Sequence, residues 1–378
     1  VSVWDDVVGQ ESAIAVLRGA IADPDAMTHA WLLTGPPGSG RSNAARAFAA
    51  ALQCEQGGCG HCQACTTTLA GTHADLTVVA TEKVTIAIDE VRSLITSASR
   101  TPSQGRWRVI LIEDADRMAE RTTNVLLKAI EEPPPRTVWL LCAPSPQDVM
   151  VTIRSRCRGV SLRIPPVEDV ATLLVNRDGI DPATALTSAR AAQSHIGLAR
   201  RLARDAGARD RRASVLAIAR RIRGVPDAVI AAGELVEVAQ AEAKAATEER
   251  DADEKAALLR SLGAESGQTL PPSLRSQVKQ LEDDQKRRAT RRQRDVLDRS
   301  MVDLLSLYRD VLMVQLRAGV ELVNVELDET VRTLAEESTP EQTIRRMDAI
   351  GVARTRLGGN VSPVLALEAM AIALRPQG

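Results

Sequence analysis

The chain has 378 residues, 44% hydrophobic and 26% charged, with a formal net charge of -1. That length allows two or three domains with separate cores, while the balanced charge excludes a molecule-wide electrostatic footprint for nucleic acid, so any DNA contact has to be a local patch. No apolar run reaches the roughly 18 to 20 residues of a membrane span, and the first residues, VSVWDDVVGQ, are acidic where a secretory signal is basic, so a cytoplasmic protein without a membrane partner is expected. All four Trp and Phe48 lie before residue 140 and Tyr308 is the only aromatic ring after it, which suggests two unlike architectures.

From residue 30 onward, short apolar runs alternate with helical spacing. AWLLT (30–34), DLTVVA (75–80), WRVILI (107–112) and TVWLLC (137–142) are predicted strands, and 41–53, 86–98 and 118–131 are predicted helices. Such alternation argues for a parallel sheet covered on both faces. Between the first strand and its helix stands GPPGSGRS, Gly35 to Ser42, which follows the phosphate-loop pattern G-x-x-x-x-G-K-[ST] except that Arg41 replaces the lysine. Backbone N–H groups of such a loop point at phosphate oxygens: Gly35, Gly38 and Gly40 allow the turn, Pro36, Pro37 and Ser39 complete it, and Ser42 is the Mg²⁺ ligand. Arginine keeps the charge of lysine but not its shape or hydrogen bonding, so ATP or ADP binding can survive here while efficient hydrolysis is not expected.

The next segment, CEQGGCGHCQAC, holds Cys54, Cys59, Cys62 and Cys65. Four thiolates at this spacing suit a closed, structural tetrahedral Zn²⁺; an iron–sulfur cluster is the alternative, since CGHCQAC also contains C-x2-C-x2-C. WRVILI runs into Glu113 and Asp114, an acidic pair in the reverse order to the Asp-Glu of a hydrolysing enzyme. Both carboxylates are expected to remain available, either to a metal or to solvent. After the fourth strand, DVMVTIRSRCRGV places Arg154, Arg156 and Arg158 at a helix-to-strand junction, where they need either a nearby anion or water. Pro165 and Pro166 close the region, a helical stretch follows, and DAGARDRR (205–212) reads as a linker. The remainder lacks strand signals. Its 240–300 part is highly charged, with an expected break at 262–273 and a run KRRATRRQR (286–294) whose flanking acids, Glu282 to Asp284, Asp295 and Asp298, suit a salt-bridged helix.

WDDVVGQESAI, GPPGSGRS, the cysteine module, NVLLKAIEEPP and SRC, in this order, resemble the clamp-loader branch of the AAA+ family over about residues 4–165; the rest matches in length and helical character. The resemblance implies an α/β AAA+ phosphate-loop domain (1–165) with an inserted zinc module (54–65), a small helical lid domain (166–210) and an all-α oligomerisation collar (211–378). It implies an arginine finger at Arg156, framed by Ser155 and Cys157, that acts on a nucleotide held by a neighbouring subunit, and a DNA contact at Arg92. Trp4 to Gln10 are expected near the adenine pocket. Implied partners are the other loader subunits of a hetero-pentamer, of the delta and gamma/tau types, together with the beta-type sliding clamp and primed DNA. Two departures accompany Arg41 and the reversed acidic pair: Pro144 stands at a γ-phosphate sensor position, and Gly197 stands where a lid arginine is usual, with Arg200 one turn later. A subunit that supports a neighbour's hydrolysis while hydrolysing little itself is expected; an autonomous AAA+ ATPase and a zinc-containing DNA-binding protein are the alternatives.

Overall fold

Strands that are apolar on both faces can be buried only in a sheet sandwiched between helices. The computed structural model describes residues 2–79, 86–261, 272–359 and 361–376, and it divides the chain into two compact units, Val1–Asp205 and Ala206–Gly378.

The first unit runs α1 (Glu11–Ala22), β1 (Ala30–Thr34), α2 (Arg41–Gln53), α3 (Gln63–Leu69), β2 (Leu76–Val79), α4 (Ile88–Ala98), β3 (Arg108–Ile112), α5 (Glu120–Glu131), β4 (Thr137–Ala143), α6 (Val151–Arg154), β5 (Arg158–Ser161), α7 (Val167–Asp178), α8 (Pro182–Ala191) and α9 (Ile196–Arg204). The sheet order is β2-β3-β4-β1-β5, and every pairing is parallel. Successive side chains point to opposite faces. Trp31, Leu33, Leu111 and Leu140 therefore join α1 and α2 on one side, where Trp31 meets Phe48 edge to face at 5.2 Å. Leu32, Ile110, Ile112 and Trp139 join α4 and α5 on the other, against Leu126 and Ile130. Because β1 lies between β4 and β5, its C-terminal loop emerges where the strand order turns, the position at which open parallel sheets bind ligands. The fifth strand was legible only as the end of a junction: its burial is restricted to Val160, so it lacks the apolar run of the other four.

Helices α7 to α9 belong to the same unit. Gly179 caps α7 with φ +66, and the Asp181 side chain caps α8 by accepting from Ala183 N and Thr184 N.

The second unit is helical: α10 (Ala206–Arg221), α11 (Val225–Ser261), α12 (Pro272–Gln315), α13 (Asp328–Glu336), α14 (Pro340–Gly358) and α15 (Pro363–Leu374). Its core gathers Leu216, Leu297, Met301, Leu304, Tyr308, Ile350 and Leu367. The stretch expected to be a linker is instead the start of α10, and only Asp205 stands between the helices α9 and α10. Arg212, at the end of that stretch, is buried and bonds Asp303 at 3.0 Å, Glu326 at 2.9 Å and the Asn324 amide oxygen. α11 and α12 are antiparallel, since Arg288 reaches Asp251 at 2.8 Å and Lys255 reaches Glu282 at 2.7 Å. Within the basic run, Arg288 thus pairs with α11, while Arg287 and Arg291 lie 3.6 Å from Asp284 and 3.9 Å from Asp295 of their own helix. The break expected at 262–273 lies almost wholly outside the described residues. No helix among the described residues is long and apolar enough to cross a membrane.

Candidate functional site

The phosphate-loop residues form the expected strand-loop-helix turn. Gly40, at φ +83, is the N-cap of α2, and Gly38, at φ +91, passes so close to α9 that a Cβ there would meet His195 Cα at 2.9 Å. Gln10 bolts the loop to the sheet. Its amide nitrogen donates to Ser39 O at 3.1 Å and Arg163 O at 2.6 Å, while its oxygen accepts from Arg163 N at 3.1 Å. Beyond the loop opens a cavity of about 420 Å³, bounded by residues 36–43 on one side and by Arg177, His195, Ile196, Gly197 and Arg200 on the other. That volume is ample for a nucleotide's phosphates. The Ser39 hydroxyl is buried without a hydrogen-bond partner, a donor that an anion's oxygen can satisfy. The loop therefore fits a phosphate group.

Its acidic partners are less free than expected. Glu113 is gripped by Arg46 at 2.8 Å, and Asp114 lies 3.8 Å from Arg117. Arg41 donates to Gly35 O of its own loop rather than projecting outward. Burial raises the pKa of the nearby Asp116, with Asp114 adding to the rise. The expectation that both oxygens of the acidic pair stay available is thus corrected for Glu113, whose carboxylate neutralises an arginine of α2. Pro144 follows the last residue of β4, and a proline there supplies no N–H.

The four cysteines come together at the end of α2 and the start of α3. All their sulfurs lie within 4.8 Å of one another, and none is in a disulfide. Tetrahedral Zn–S bonds of about 2.3 Å place sulfurs about 3.8 Å apart, and Cys62 Sγ lies 3.8 Å from Cys54 Sγ. A polynuclear cluster puts irons and sulfides between its thiolates and needs a wider frame. Burial opposes ionisation of Cys54, but N–H groups of Cys59, Gly58 and Gln56 lower its pKa to about 6, which favours the metal-binding thiolate. Cys65 is pushed up by burial. His61 is exposed and its ring lies against Cys59 O at 2.9 Å, outside the sulfur cluster. The residues fit a single structural metal ion.

Arg156 sits in the turn between α6 and β5. It is anchored at the surface by Glu131 at 2.5 Å and by Thr152 O at 2.7 Å, and it does not border the cavity over its own loop. Burial raises Cys157 to about 12, which leaves it inert as a nucleophile at neutral pH. Arg92 lies on the first turns of α4, 66% exposed, in a short-range pair with Asp89 at 3.0 Å. Such exposed pairs hold weakly and release readily.

Sequence reading missed Arg177 and Asp178. Both follow an ordinary helical pattern well over a hundred residues from the loop, so no local signal brings Arg177 to the cavity or Asp178 to the arginines that border it; the adjoining Gly179 marks only a helix end.

Residues 9–166 match the family model described as DNA polymerase III, delta subunit. Among relatives, the chain is 35% identical over 194 residues to DNA polymerase III subunit delta' of Pseudomonas aeruginosa, covering 50% of this chain and 59% of that one. It is 33% identical over 174 residues to DNA polymerase III subunit gamma/tau of Mycobacterium tuberculosis, covering 45% of this chain and 30% of the relative. The matches thus span 59% and 30% of these relatives, less than two thirds of either. A crystal structure of a DNA polymerase III gamma subunit-related protein from Thermotoga maritima aligns over 96% of this chain and 98% of its own, at 15% identity and a TM-score of 0.44.

Proposed function

We propose, for a chain whose N-terminal unit belongs to the clamp-loader branch of the DNA polymerase III subunits, that it works as a delta-prime-like subunit of a clamp loader. In this reading it joins delta- and gamma/tau-type subunits in a hetero-pentamer that places the beta-type sliding clamp on primed DNA. It is an accessory part of a DNA polymerase holoenzyme, not an ATPase on its own. Arg156 acts in trans as the arginine finger of a neighbour's ATP site. The observation that carries this is the placement of Arg156: a guanidinium held at the surface on a short turn, tethered by one carboxylate that is 44% exposed, and absent from the chain's own phosphate cavity. An arginine so placed can exchange Glu131 for a neighbour's phosphate and neutralise charge that develops during phosphoryl transfer.

The chain's own loop is read as a binding site with little turnover. Gly35 to Ser42 hold ATP or ADP with Mg²⁺ ligated by Ser42. Arg41 is engaged with Gly35 O and Glu113 with Arg46, so neither the cation nor the base of a hydrolytic site is free. Cys54, Cys59, Cys62 and Cys65 hold structural Zn²⁺. The metal would cross-link the end of α2 to the start of α3; with four sulfurs as ligands it leaves no open position for a reactive water. Residues 166–205 serve as the lid and residues 206–378 as the collar, since α10 and the helical unit begin at Ala206, five residues before the boundary expected at 210/211; Arg92 contacts a DNA phosphate.

The test is reconstitution with the partner subunits and the clamp. Arg156→Ala is expected to leave assembly intact and to lower the clamp- and DNA-stimulated ATPase severalfold, with the site that receives the finger losing roughly a thousandfold. Unchanged turnover in a fully assembled ring would refute the assignment.

A further inference from the structure

The cavity over residues 36–43 carries more positive charge than its surroundings neutralise. Asp178, the last residue of α7, has a side chain only 1% exposed. Its Oδ2 receives Arg177 Nη2 at 3.0 Å, while its Oδ1 receives Arg200 Nη2 at 3.0 Å and Arg204 Nη2 at 2.9 Å. One buried carboxylate is compensated by one guanidinium; the second and third repel each other unless another anion shares them. Arg177 also lies 3.6 Å from Asp6, but that carboxylate is 54% exposed, and a long, solvated pair of this kind neutralises little.

The three arginines differ in what else they reach. Arg177 and Arg200 border the cavity, and Arg204 does not. On the loop side the cavity meets the backbone N–H groups and the positive N-terminal end of α2; Arg41 also borders it, with its guanidinium turned to Gly35 O. Two planar guanidinium groups facing backbone N–H donors across a phosphate-sized space suit an anion with several oxygens, such as the polyphosphate of a nucleoside di- or triphosphate.

We propose that Arg177 is a phosphate-binding residue of the loop site and that buried Asp178 is the positioning residue that aims Arg177 and Arg200 at the same polyphosphate. This rests on residues 35–42 being a phosphate site and is independent of the role given to Arg156. Burial works against the charge on Asp178, yet the neighbouring Arg177, Arg200 and Arg204 hold its carboxyl below the usual range, so it stays ionised at neutral pH. The second half of the site thus comes from α7 and α9.

Calorimetric titration of the full chain with inorganic tripolyphosphate tests this without any loader ATPase. Arg177→Ala is expected to bind about tenfold more weakly and with a shallower salt dependence, as loss of one charge-assisted contact implies. Arg204→Ala, which breaks a bond to the same carboxylate outside the cavity, is expected to bind within about twofold of the parent. Asp178→Asn separates aiming from bulk charge. It makes the site more positive, so charge alone predicts tighter binding, whereas lost aim predicts weaker binding with the salt dependence still steep. Thermal melts confirm that each variant is folded, and Arg177→Lys replaces Arg177→Ala if the latter is not. Parent-like binding by a folded Arg177 variant, an equal loss in Arg204→Ala, tighter binding in Asp178→Asn, or no binding by the parent chain would overturn the proposal. If tripolyphosphate behaves as expected while Arg156→Ala leaves the loader unaffected, the finger assignment fails and this one stands.

Discussion

Arg41 retains the charge of a phosphate loop but directs it to Gly35 O, because a guanidinium is long and planar enough to curl onto a backbone carbonyl of its own turn. Residue identity was enough to flag Arg41 as a departure from the pattern; where the side chain goes depends on the fold. The cysteines are the opposite case. Their spacing alone indicates a metal site, since four soft ligands within twelve residues can meet without help from the rest of the chain. Cys62→Ser is expected to reduce bound zinc from about one ion per chain to near none and to lower the melting temperature, because one oxygen donor cannot complete a thiolate shell. Full zinc content in that variant, measured by atomic emission, would contradict the assignment.

At the scale of elements, the four apolar strands and the covering helices α2, α4 and α5 follow from periodicity, with predicted bounds within a residue or two of the observed ones, whereas α1, which also covers the sheet, was not predicted. What periodicity does not carry is how loops are locked between elements. Asp75, fully buried just before β2, accepts from Ser103 N at 2.7 Å, Gln104 N at 2.7 Å and Gly105 N at 2.6 Å, and pairs with Arg108 at 3.0 Å. It binds the approach to β3 to the edge of the sheet. Burial alone would raise its pKa, but the N–H donors of Ser103, Gln104 and Gly105 outweigh it and bring the value down to about 2. The folded state therefore binds this proton more weakly than the unfolded state. The resulting stability, about 2 kcal/mol, is present above pH ~4 and is lost as pH falls toward ~2. Asp75→Asn is expected to lower stability at pH 7 by at least that much and to flatten the acid limb of the denaturation profile. An unchanged acid limb would show that Asp75 is not the group responsible.

For the whole molecule, the two units have separate cores, one built around a sheet and one from helices alone. The helical unit is proposed to carry ring assembly. A chain ending at Asp205 is expected to keep its zinc and to bind tripolyphosphate, yet to fail to enter the loader in size-exclusion chromatography with the partner subunits. Entry of that fragment into the ring would remove the collar from residues 206–378. Two calorimetric transitions in the full chain, only one of them retained by the fragment, are expected from the same division.

By itself the sequence determined the parallel α/β class, the phosphate loop and its irregular Arg41, the cysteine centre and the surface arginines of the Ser-Arg-Cys turn. Each is written in neighbouring residues, where strand period, loop glycines and ligand spacing act locally. Tertiary structure alone decided that Arg46 occupies Glu113, that residues 206–212 are helical with Arg212 buried, and that Arg177 and Arg200 border the cavity opposite the loop while sharing Asp178 behind it. Those outcomes turn on which distant charges meet out of water. Burial strengthens every such contact and penalises every unpaired one, so partners are chosen by the packed fold and leave no trace in the local pattern.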